Sequence, residues 1–411
     1  MKNSELSLWR AEMTSKYDIR TLGELSVGNK GSYGIAASAV EYSEDLFTYL
    51  RISDITDDGR INKNDLKSVK EQNAKDYLLK PNDIVFARTG GSTGRNYFYD
   101  GKDGQFVYAG FLIKFSINPQ KVNPKYIKYY CQSKIYRDWV HSFNTGSTRG
   151  NINAQTYSQL PIILPPRTQQ DILVKMLSSL DDKIELNNKI NQNLEQQAQA
   201  IFKSWFVDFE PFGGNMPENW ERSNLLEIAN YLNGLAMQKY RPKENELYIP
   251  ILKIKELRQG FCDNTSDICT ENINDAYIVN NGDIIFSWSG SLLVDIWCGG
   301  KCGLNQHLFK VTSEKYDKWF YYFWTKHHLS KFVVLASDMA TTMGHIKREE
   351  LQKSEVIIPN KEDYQKINNI IDPILNLIIN NKIQNKQLTQ LRDTLLPKLM
   401  SGEIDVDKVE V

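Results

Sequence analysis

Residues 173–205 read LVKMLSSLDDKIELNNKINQNLEQQAQAIFKSW, and their apolar side chains recur at alternating steps of three and four. This spacing puts one apolar stripe on a helix and is typical of a helix that packs against a partner helix. The two seam positions hold Leu173, Leu180, Asn187, Leu194 and Ile201, and Leu177, Ile184, Asn191, Ala198 and Trp205. Packing of the helix on its own globule is the alternative, but the stripe is longer than an average globular helix.

The same pattern returns 194 residues later in the chain. Its seam positions hold Ile367, Ile374, Asn381, Leu388 and Leu395, and Ile371, Ile378, Asn385, Arg392 and Leu399. A polar seam residue costs stability and is best explained as fixing the register or the number of partners. Asparagine would meet asparagine in a parallel or an antiparallel pair, so the direction stays open. Pro373 predicts a kink in the second helix or a cap at its N-terminal end.

The segments outside these helices are duplicated too. The sequences LRISDI, NDIVF and LPIILP at 50–55, 82–86 and 160–165 return as LKIKEL, GDIIF and SEVIIP at 252–257, 282–286 and 354–359. A repeat this long indicates a duplicated domain, and 411 residues exceed one ordinary core. We predict similar globular domains over residues 1–160 and 211–357, with helices over 161–210 and 358–411. Two similar recognition modules suggest a target that has two parts.

Within each globule, short apolar runs are broken by Gly, Asn, Asp and Ser. Residues 83–87 and 111–115 read as strands, and residues 125–140 and 315–335 read as helices. We therefore predict an α+β fold for both globules. A helix of about 40 residues would be about 60 Å long, which exceeds one DNA turn of about 34 Å.

The chain carries 50 basic and 50 acidic side chains, so its net charge gives no sign of a nucleic-acid partner. Residues 80–150, however, hold 11 Lys or Arg against 4 Asp. This local excess fits phosphate contacts or an ordinary solvated face. The sequence shows no signal-peptide pattern, no apolar run of membrane-spanning length and no secreted disulfide framework among its five cysteines. These features predict a cytoplasmic protein without a membrane partner.

Two loops in each copy present hydroxyls, backbone amides and basic side chains, which are groups that contact phosphates and base edges. They lie at residues 89–95 and 145–150 in the first copy and at 287–291 and 341–345 in the second. A plain turn is the alternative for each loop. The candidate DNA contacts of the first copy are Arg88, Thr89, Ser92, Thr93, Arg95, Thr148 and Arg149. Those of the second copy are Trp288, Ser289, Ser291, Thr342, His345 and Lys347.

The sequence lacks the patterns of phosphate-binding loops, dinucleotide sites, nucleophile elbows and zinc proteases. Four cysteines between residues 262 and 302, with His307 nearby, have spacings unlike those of common structural zinc sites. Asp83 and Asp283 recur at matching positions, but each opens an apolar strand as turn residues do. We expect no catalytic site, no metal and no cofactor. A nuclease with an unrecognised acidic site is the enzymatic alternative.

The order globule, long helix, globule, long helix resembles the specificity subunit of type I restriction-modification enzymes. The resemblance is carried by LPPRTQQDI at 164–172, AIFKSWF at 200–206, PILKI at 250–254 and LRDTLLPKLMSG at 391–402. It covers nearly the whole chain and is strong in the helices and weak in the globules. Pro373 and Arg392 depart from the pattern of the first helix, and these departures predict that the second helix is interrupted.

This resemblance implies two target recognition domains, each reading one half of a bipartite site in double-stranded DNA. It also implies that the long helices form an antiparallel coiled coil with a pseudo-two-fold axis, set the gap between the half-sites and bind two methyltransferase subunits. Those subunits bring S-adenosylmethionine, and nuclease subunits complete the restriction assembly. The chain itself is expected to be non-catalytic. The alternative function is an assembly or anti-restriction decoy protein that binds partner subunits without reading DNA.

Overall fold

The structure, a computed structural model, describes residues 17–143, 150–338 and 346–406. The chain divides into two compact units, which we call the first unit (Met1–Leu180 with Leu391–Val411) and the second unit (Asp181–Gln390). Each unit contains one of the duplicated globules and a part of both long helices. The division into domains at residues 160, 210 and 357 stays a prediction, since the compact units share the helices between them.

The first unit is built on two four-stranded sheets and a two-stranded one. Its strands are β1 (Asp18–Thr21), β2 (Ser32–Tyr33), β3 (Val40–Glu41), β4 (Phe47–Leu50), β5 (Lys67–Val69), β6 (Asp83–Ala87), β7 (Asn96–Tyr99), β8 (Phe106–Tyr108), β9 (Leu112–Ser116) and β10 (Pro161–Leu164). Its helices are α1 (Pro124–Tyr130), α2 (Lys134–His141), α3 (Ala154–Ser158) and the beginning of α4 (Arg167–Phe206). The strand orders are β2-β9-β6-β7, β3-β5-β4-β8 and β1-β10.

The second unit also has two four-stranded sheets and a two-stranded one, and the two units differ in which edge of the second four-stranded sheet carries the outermost strand. Its strands are β11 (Glu221–Asn224), β12 (Asn230–Asn233), β13 (Tyr248–Leu252), β14 (Ile268–Thr270), β15 (Ile278–Val279), β16 (Asp283–Ser287), β17 (Leu293–Trp297), β18 (Cys302–Leu304), β19 (Leu308–Thr312) and β20 (Glu355–Ile358). Its helices are α5 (Leu225–Ile228), α6 (Ile254–Gln259), α7 (Lys318–His327), α8 (Leu329–Asp338), α9 (Arg348–Gln352) and most of α10 (Lys361–Met400). The strand orders are β12-β19-β16-β17, β14-β13-β18-β15 and β11-β20.

Strand pairing confirms the internal repeat and the α+β fold. In the central antiparallel pair, Ile84 lies opposite Phe115 in the first unit, and Ile284 lies opposite Val311 in the second. Both units also contain one parallel pair, β4 with β8 and β13 with β18. The central strands β6 and β16 are almost wholly buried, and their β-branched and aromatic residues suit a strand that is covered on both faces.

The predicted single helices at 125–140 and 315–335 are wrong, because each is two helices. In the first unit, α1 ends at Tyr130, and the Ser133 hydroxyl then caps α2 by accepting from the Tyr136 amide. In the second unit, α7 ends before His328, and α8 begins at Leu329. Apolar periodicity continues across both breaks, so the pattern alone does not show the change of direction.

Each core includes apolar side chains from both long helices. In the first unit, Leu173 and Leu177 of α4 and Leu396 and Leu399 of α10 belong to one buried cluster with the strands and helices of the globule. The equivalent cluster of the second unit takes Ala198, Phe202 and Phe206 from α4 and Ile367, Ile371 and Leu375 from α10. The apolar stripes read from the sequence therefore pack on the globules as well as on the partner helix.

The two long helices are antiparallel in the second unit. Asn187 of α4 bonds to Asn385 of α10, while Asn191, one turn further along α4, bonds to Asn381. Each long helix has 40 residues, and α10 continues without interruption through Pro373, so a helix start at this proline is wrong. In the first unit, Arg392 of α10 is buried and its guanidinium donates to the carboxylate of Asp393 at 2.9–3.0 Å.

In the part of the chain that the structure describes, no helix combines the length and the apolar character needed to cross a membrane.

Candidate nucleic-acid interface

In the first unit, residue 88 leaves strand β6 at a point where two other segments meet it. The Arg88 amide donates to the Phe111 carbonyl at 3.1 Å, and the Arg88 carbonyl accepts from the Ile152 amide at 2.9 Å. Phe111 directly precedes β9, and the register of β6 with β9 places its side chain on the same face as that of Arg88. Tyr33, at the end of β2, lies on this face too.

Gly34 allows β2 to come close enough for this arrangement. A Cβ atom on Gly34 would lie 2.2 Å from the Tyr108 carbonyl oxygen, so a larger residue would push the strand away. Gly234 is in the same position in the second unit, 2.2 Å from the Asn305 carbonyl oxygen. The close approach of the strand segments is therefore part of a backbone arrangement that both units have, which we call the shared frame.

The side chain of Arg88 is oriented but not saturated with hydrogen bonds. Its guanidinium lies over the Tyr33 ring at 5.1 Å. Its Nε is buried and has no hydrogen-bond partner among the residues that the structure describes. Beside it, the rings of Tyr33 and Phe111 are 43% and 59% exposed. A guanidinium placed over an aromatic ring in this way still presents the planar fork of donors that suits phosphates and base edges.

The other first-unit candidates contribute to the loop itself. The Thr93 hydroxyl donates to the Gly90 and Gly150 carbonyls at 2.8 and 2.9 Å, which ties the two candidate loops together. Thr89 forms a β-bridge with Asn151. Arg95 donates to Asp57 at 2.6 Å and to the Ile55 carbonyl at 3.2 Å, so its guanidinium is already engaged within the unit. Ser92, like Thr89, is partly exposed.

The second unit repeats the frame with different side chains. The Trp288 amide donates to the His307 carbonyl at 3.4 Å, and the Ile346 amide donates to the Trp288 carbonyl at 3.0 Å. The Trp288 indole donates to Asn233 Oδ1 at 3.0 Å, and its ring stacks on Phe309 with centroids 5.5 Å apart. Trp288 therefore lies where Arg88 lies in the first unit, but its donor is occupied within the protein.

The burial of Ser289 argues against its predicted role as a direct DNA contact. The residue is only 1% exposed, and its hydroxyl lies 3.0 Å from His307 Nδ1. Its place is thus to orient His307, which is partly exposed. The Ser291 hydroxyl accepts from Arg258, and Lys347 is exposed just before α9. Four further candidates lie outside the described residues, namely Thr148, Arg149, Thr342 and His345.

The seam asparagines form a hydrogen-bonded layer between the long helices of the second unit. Asn187 Nδ2 donates to Gln384 Oε1 at 2.7 Å and to Asn385 Oδ1 at 2.8 Å. Asn381 Nδ2 donates to Asn191 Oδ1 at 2.9 Å, and Asn191 Nδ2 donates to the Ile378 carbonyl at 3.2 Å. Asn187 is fully buried. A slip of register would leave these buried amides without partners, which is costly.

The paired aspartates hold turns. The Asp83 carboxylate accepts from the Lys80 amide at 2.8 Å and from the Ser116 hydroxyl at 2.5 Å. Asp283 accepts from the Asn280 amide at 2.8 Å in the same way and pairs with Lys310 at 3.0 Å. Both carboxylates therefore stabilise the turn that precedes the central strand, as expected of turn residues.

The second unit contains four of the five cysteines of the chain. Among the described residues, no group of three or more His, Cys, Asp or Glu side chains is placed to hold a metal ion. Cys302 and Cys262 share a hydrogen bond, and burial raises the pKa of the Cys302 thiol well above its usual range.

Comparison with known proteins agrees with this duplicated architecture. The family model of the type I restriction modification DNA specificity domain matches the chain twice, over residues 15–196 and 217–390. The two matches cover most of the 411 residues. The chain belongs to this family. It carries two copies of the DNA specificity domain, which confirms the resemblance found in the sequence.

Relatives with similar organisation span most of the chain. The specificity subunit of the type I restriction enzyme MjaIX from Methanocaldococcus jannaschii is 28% identical over 302 residues, covering 69% of this chain and 70% of that protein. The EcoKI specificity subunit from Escherichia coli strain K12 is 23% identical and covers 89% and 84%. The S subunit of a type I restriction-modification system from M. genitalium shares the fold, with a TM-score of 0.52 at 15% identity over 93% of this chain and 96% of that one.

Sequence reasoning missed four residues of the specificity domains' shared frame. Nothing in the sequence distinguishes Tyr33 or Asn233. Phe111 is predicted only as a strand residue, and His307 only as a possible neighbour of a zinc site. They are brought to residues 88 and 288 by strand pairing, over distances of 19 to 55 residues in sequence. Aligning the two copies around β9 and β19 at an offset of 196 would have matched Phe111 with His307.

Proposed function

We propose that each unit reads one half of a bipartite site in double-stranded DNA. The observation that carries this proposal is a constant backbone frame with exchanged side chains. Residues 88 and 288 make the same two backbone hydrogen bonds, yet one is an arginine and the other a tryptophan. A shared frame with different exposed groups is what two domains of common origin need in order to read different sequences.

Within this proposal, the surface around residues 33, 88 and 111 faces DNA in the first unit, and that around 233, 288 and 307 faces DNA in the second. Thr89, Ser92, Ser291 and Lys347 contribute hydroxyls and a charge at the margins, where phosphates are contacted. Thr93 and Arg95 hold the first loop in shape. Thr148, Arg149, Thr342 and His345 stay proposed contacts on the basis of the sequence alone.

The long helices are proposed to bind the methyltransferase subunits, two per chain, and to set the gap between the half-sites. The antiparallel pairing in the second unit and the asparagine layer support a fixed register for this gap. The methyltransferase supplies S-adenosylmethionine, and nuclease subunits join through the complex. The chain contributes recognition rather than catalysis, and it acts in the cytoplasm, where the cell's DNA is accessible.

A methylation map tests this function. The chain should be expressed together with the methyltransferase subunits of its own system in a host that lacks other methyltransferases, and the modified positions should be sequenced. We expect a gapped motif with two parts that disappears when this chain is omitted. Methylation without a common motif, or no methylation despite complex formation, would support a decoy. DNA cleavage or methyl transfer by the purified chain alone would contradict the non-catalytic role.

A further inference from the structure

Two positions of the shared frame exchange their chemical character between the units. Residues 88 and 111 form one pair in the first unit, and residues 288 and 307 form the equivalent pair in the second. In both pairs the first residue's amide donates to the second residue's carbonyl, at 3.1 and 3.4 Å. The strand register sets the two side chains of each pair next to each other on one face.

In the first unit, the charged member of the pair is residue 88 and the apolar member is residue 111. The Arg88 guanidinium lies 5.1 Å from the centre of the Tyr33 ring, and its buried Nε lacks an acceptor among the described residues. Phe111 is 59% exposed, although it is a large apolar side chain. An exposed phenyl ring is unfavourable in the isolated protein and would be covered by a ligand with an apolar edge.

In the second unit, the apolar member is residue 288 and the polar member is residue 307. The Trp288 indole is held by Asn233 and by Phe309, so it offers a ring edge rather than a fork of donors. The His307 ring is fixed by Ser289 at 3.0 Å and by Gln306 at 3.4 Å. The polar side chain therefore lies at the first position of the pair, directly after β6, in the first unit. In the second unit it lies at the second position, directly before β19.

We propose that these pairs are the base-reading residues of the two domains and that Arg88 reads a guanine. This inference rests on the proposed DNA recognition. The guanidinium fork matches the O6 and N7 acceptors of guanine in the major groove, while an apolar ring such as Phe111 can contact the methyl group of a neighbouring thymine. The second pair has no fork, and Ser289 and Gln306 engage both nitrogens of the His307 ring, so its half-site is read at this place through apolar contact with the indole.

The surroundings of Arg88 favour a base over a phosphate. A lysine would serve a phosphate as a point charge, whereas the planar guanidinium, placed over the Tyr33 ring, can form two parallel hydrogen bonds. The neighbouring Arg95 shows the contrast, since its guanidinium is engaged by Asp57 and the Ile55 carbonyl. Arg88 is the arginine of this loop that keeps a buried donor without a partner.

The test compares methylated motifs for the full chain with its methyltransferase subunits. Arg88→Lys keeps the charge and removes the fork, and Arg88→Ala removes both. We expect both variants to lose a preference for guanine of about 5- to 150-fold at one position of one half-site, with the other half-site unchanged. Trp288→Ala should alter the other half-site only. Arg20→Ala, which removes an exposed charge from β1, is the matched control and should leave the motif as it is.

Two outcomes would overturn the inference while the proposed function stands. One is that Arg88→Lys keeps the full base preference and Arg88→Ala weakens binding of all sequences alike, which indicates a phosphate contact. The other is that the position affected by Arg88→Ala is not a guanine. The absence of any gapped motif with the unmodified chain would instead contradict the proposed function itself. Thermal melting of each variant separates a loss of reading from a loss of folding.

Discussion

The two units attach their globules to the long helices in different ways. Near the helix ends both use apolar side chains at equivalent positions, such as Leu177 in the first unit and Ile371 in the second, each fully buried. The second unit adds ion pairs from the middle of the helices. Lys382 of α10 pairs with Asp295 at 2.7 Å, and Glu195 of α4 pairs with Lys326. At the positions that match Lys382 and Asp295 the other copy has Asn188 and Tyr97, which are uncharged.

Each of these pairs shifts the pKa of its member on the long helix. Burial alone would raise the pKa of Glu195, but the neighbouring Lys326 keeps it below its usual value. Burial alone would lower the pKa of Lys382, but Asp295 keeps it raised. Apolar packing thus serves both units, and in the second unit ion pairs between helix and globule add an attachment that depends on salt and pH.

The largest expected effect comes from breaking the contact that both units share. Leu177→Ala and Ile371→Ala should each lower the free energy of unfolding by about 2–5 kcal/mol, because each leaves a cavity in a packed core. Denaturant unfolding measures the loss, and hydrogen exchange shows where it occurs. We expect faster exchange in the first unit for Leu177→Ala and in the second for Ile371→Ala. Equal exchange in both units for either variant would mean that the apolar attachments are not separate.

The ion pair of the second unit should matter less than the apolar contacts. Lys382→Gln is expected to destabilise the second unit by about 1–2 kcal/mol, because the partly buried Asp295 loses a charged donor. The loss should shrink as the salt concentration rises, since salt already weakens the pair. Lys189→Gln, on the exposed side of α4, is the control and should change stability by less than about 0.5 kcal/mol. A larger loss in the control would refute this ranking.

Acid should loosen the second unit through a histidine. Burial lowers the pKa of His328 to about 4, from a usual value of 6.5. Below pH 6.5 the unfolded chain binds this proton more readily than the folded one, so stability falls as the pH decreases toward about 4. We expect His328→Asn to reduce the drop in Tm between about pH 7 and pH 5 by a few degrees, at roughly 2–4 °C per kcal/mol. The control His141→Asn, an exposed residue of the first unit, should have no such effect.

The smallest change in stability is expected at the polar seam. Replacing Asn187 and Asn385 together by leucine should alter the free energy of unfolding by less than about 1 kcal/mol, because both partners of their mutual bond are removed and the remaining partners, Gln384 and Asn188, are exposed to water. Asn187→Leu alone should be worse than the pair, since it leaves Gln384 and Asn385 without their donor. Crosslinking of cysteine pairs placed along the two helices would measure the register. An unchanged register in the double variant would show that the asparagines do not set it.

The sequence allowed the helices, the repeat and the family to be predicted because their signals are local or periodic. Heptad spacing marks the seam residues directly, and duplicated strands such as residues 83–87 and 283–287 recur at one offset. The surface pairs could be found only in part. Arg88 stands out by its type, but its neighbours Tyr33 and Phe111 reach it through strand register. Likewise, the bond between Ser289 and His307 joins residues 18 positions apart, and the spacing of apolar residues in the sequence does not predict it.

The sharing of the helices has a consequence for the order in which the protein matures on the ribosome. Leu396, Leu399 and Met400 belong to the core of the first unit, although they follow the whole of the second unit in the chain. Domains usually fold from the N-terminal end as the chain emerges. Here the second unit ends at Gln390 and holds all of its residues first, whereas the first unit must wait for the final turns of α10. A stop codon introduced directly after Gln390 would therefore leave the second unit complete and remove part of the core of the first.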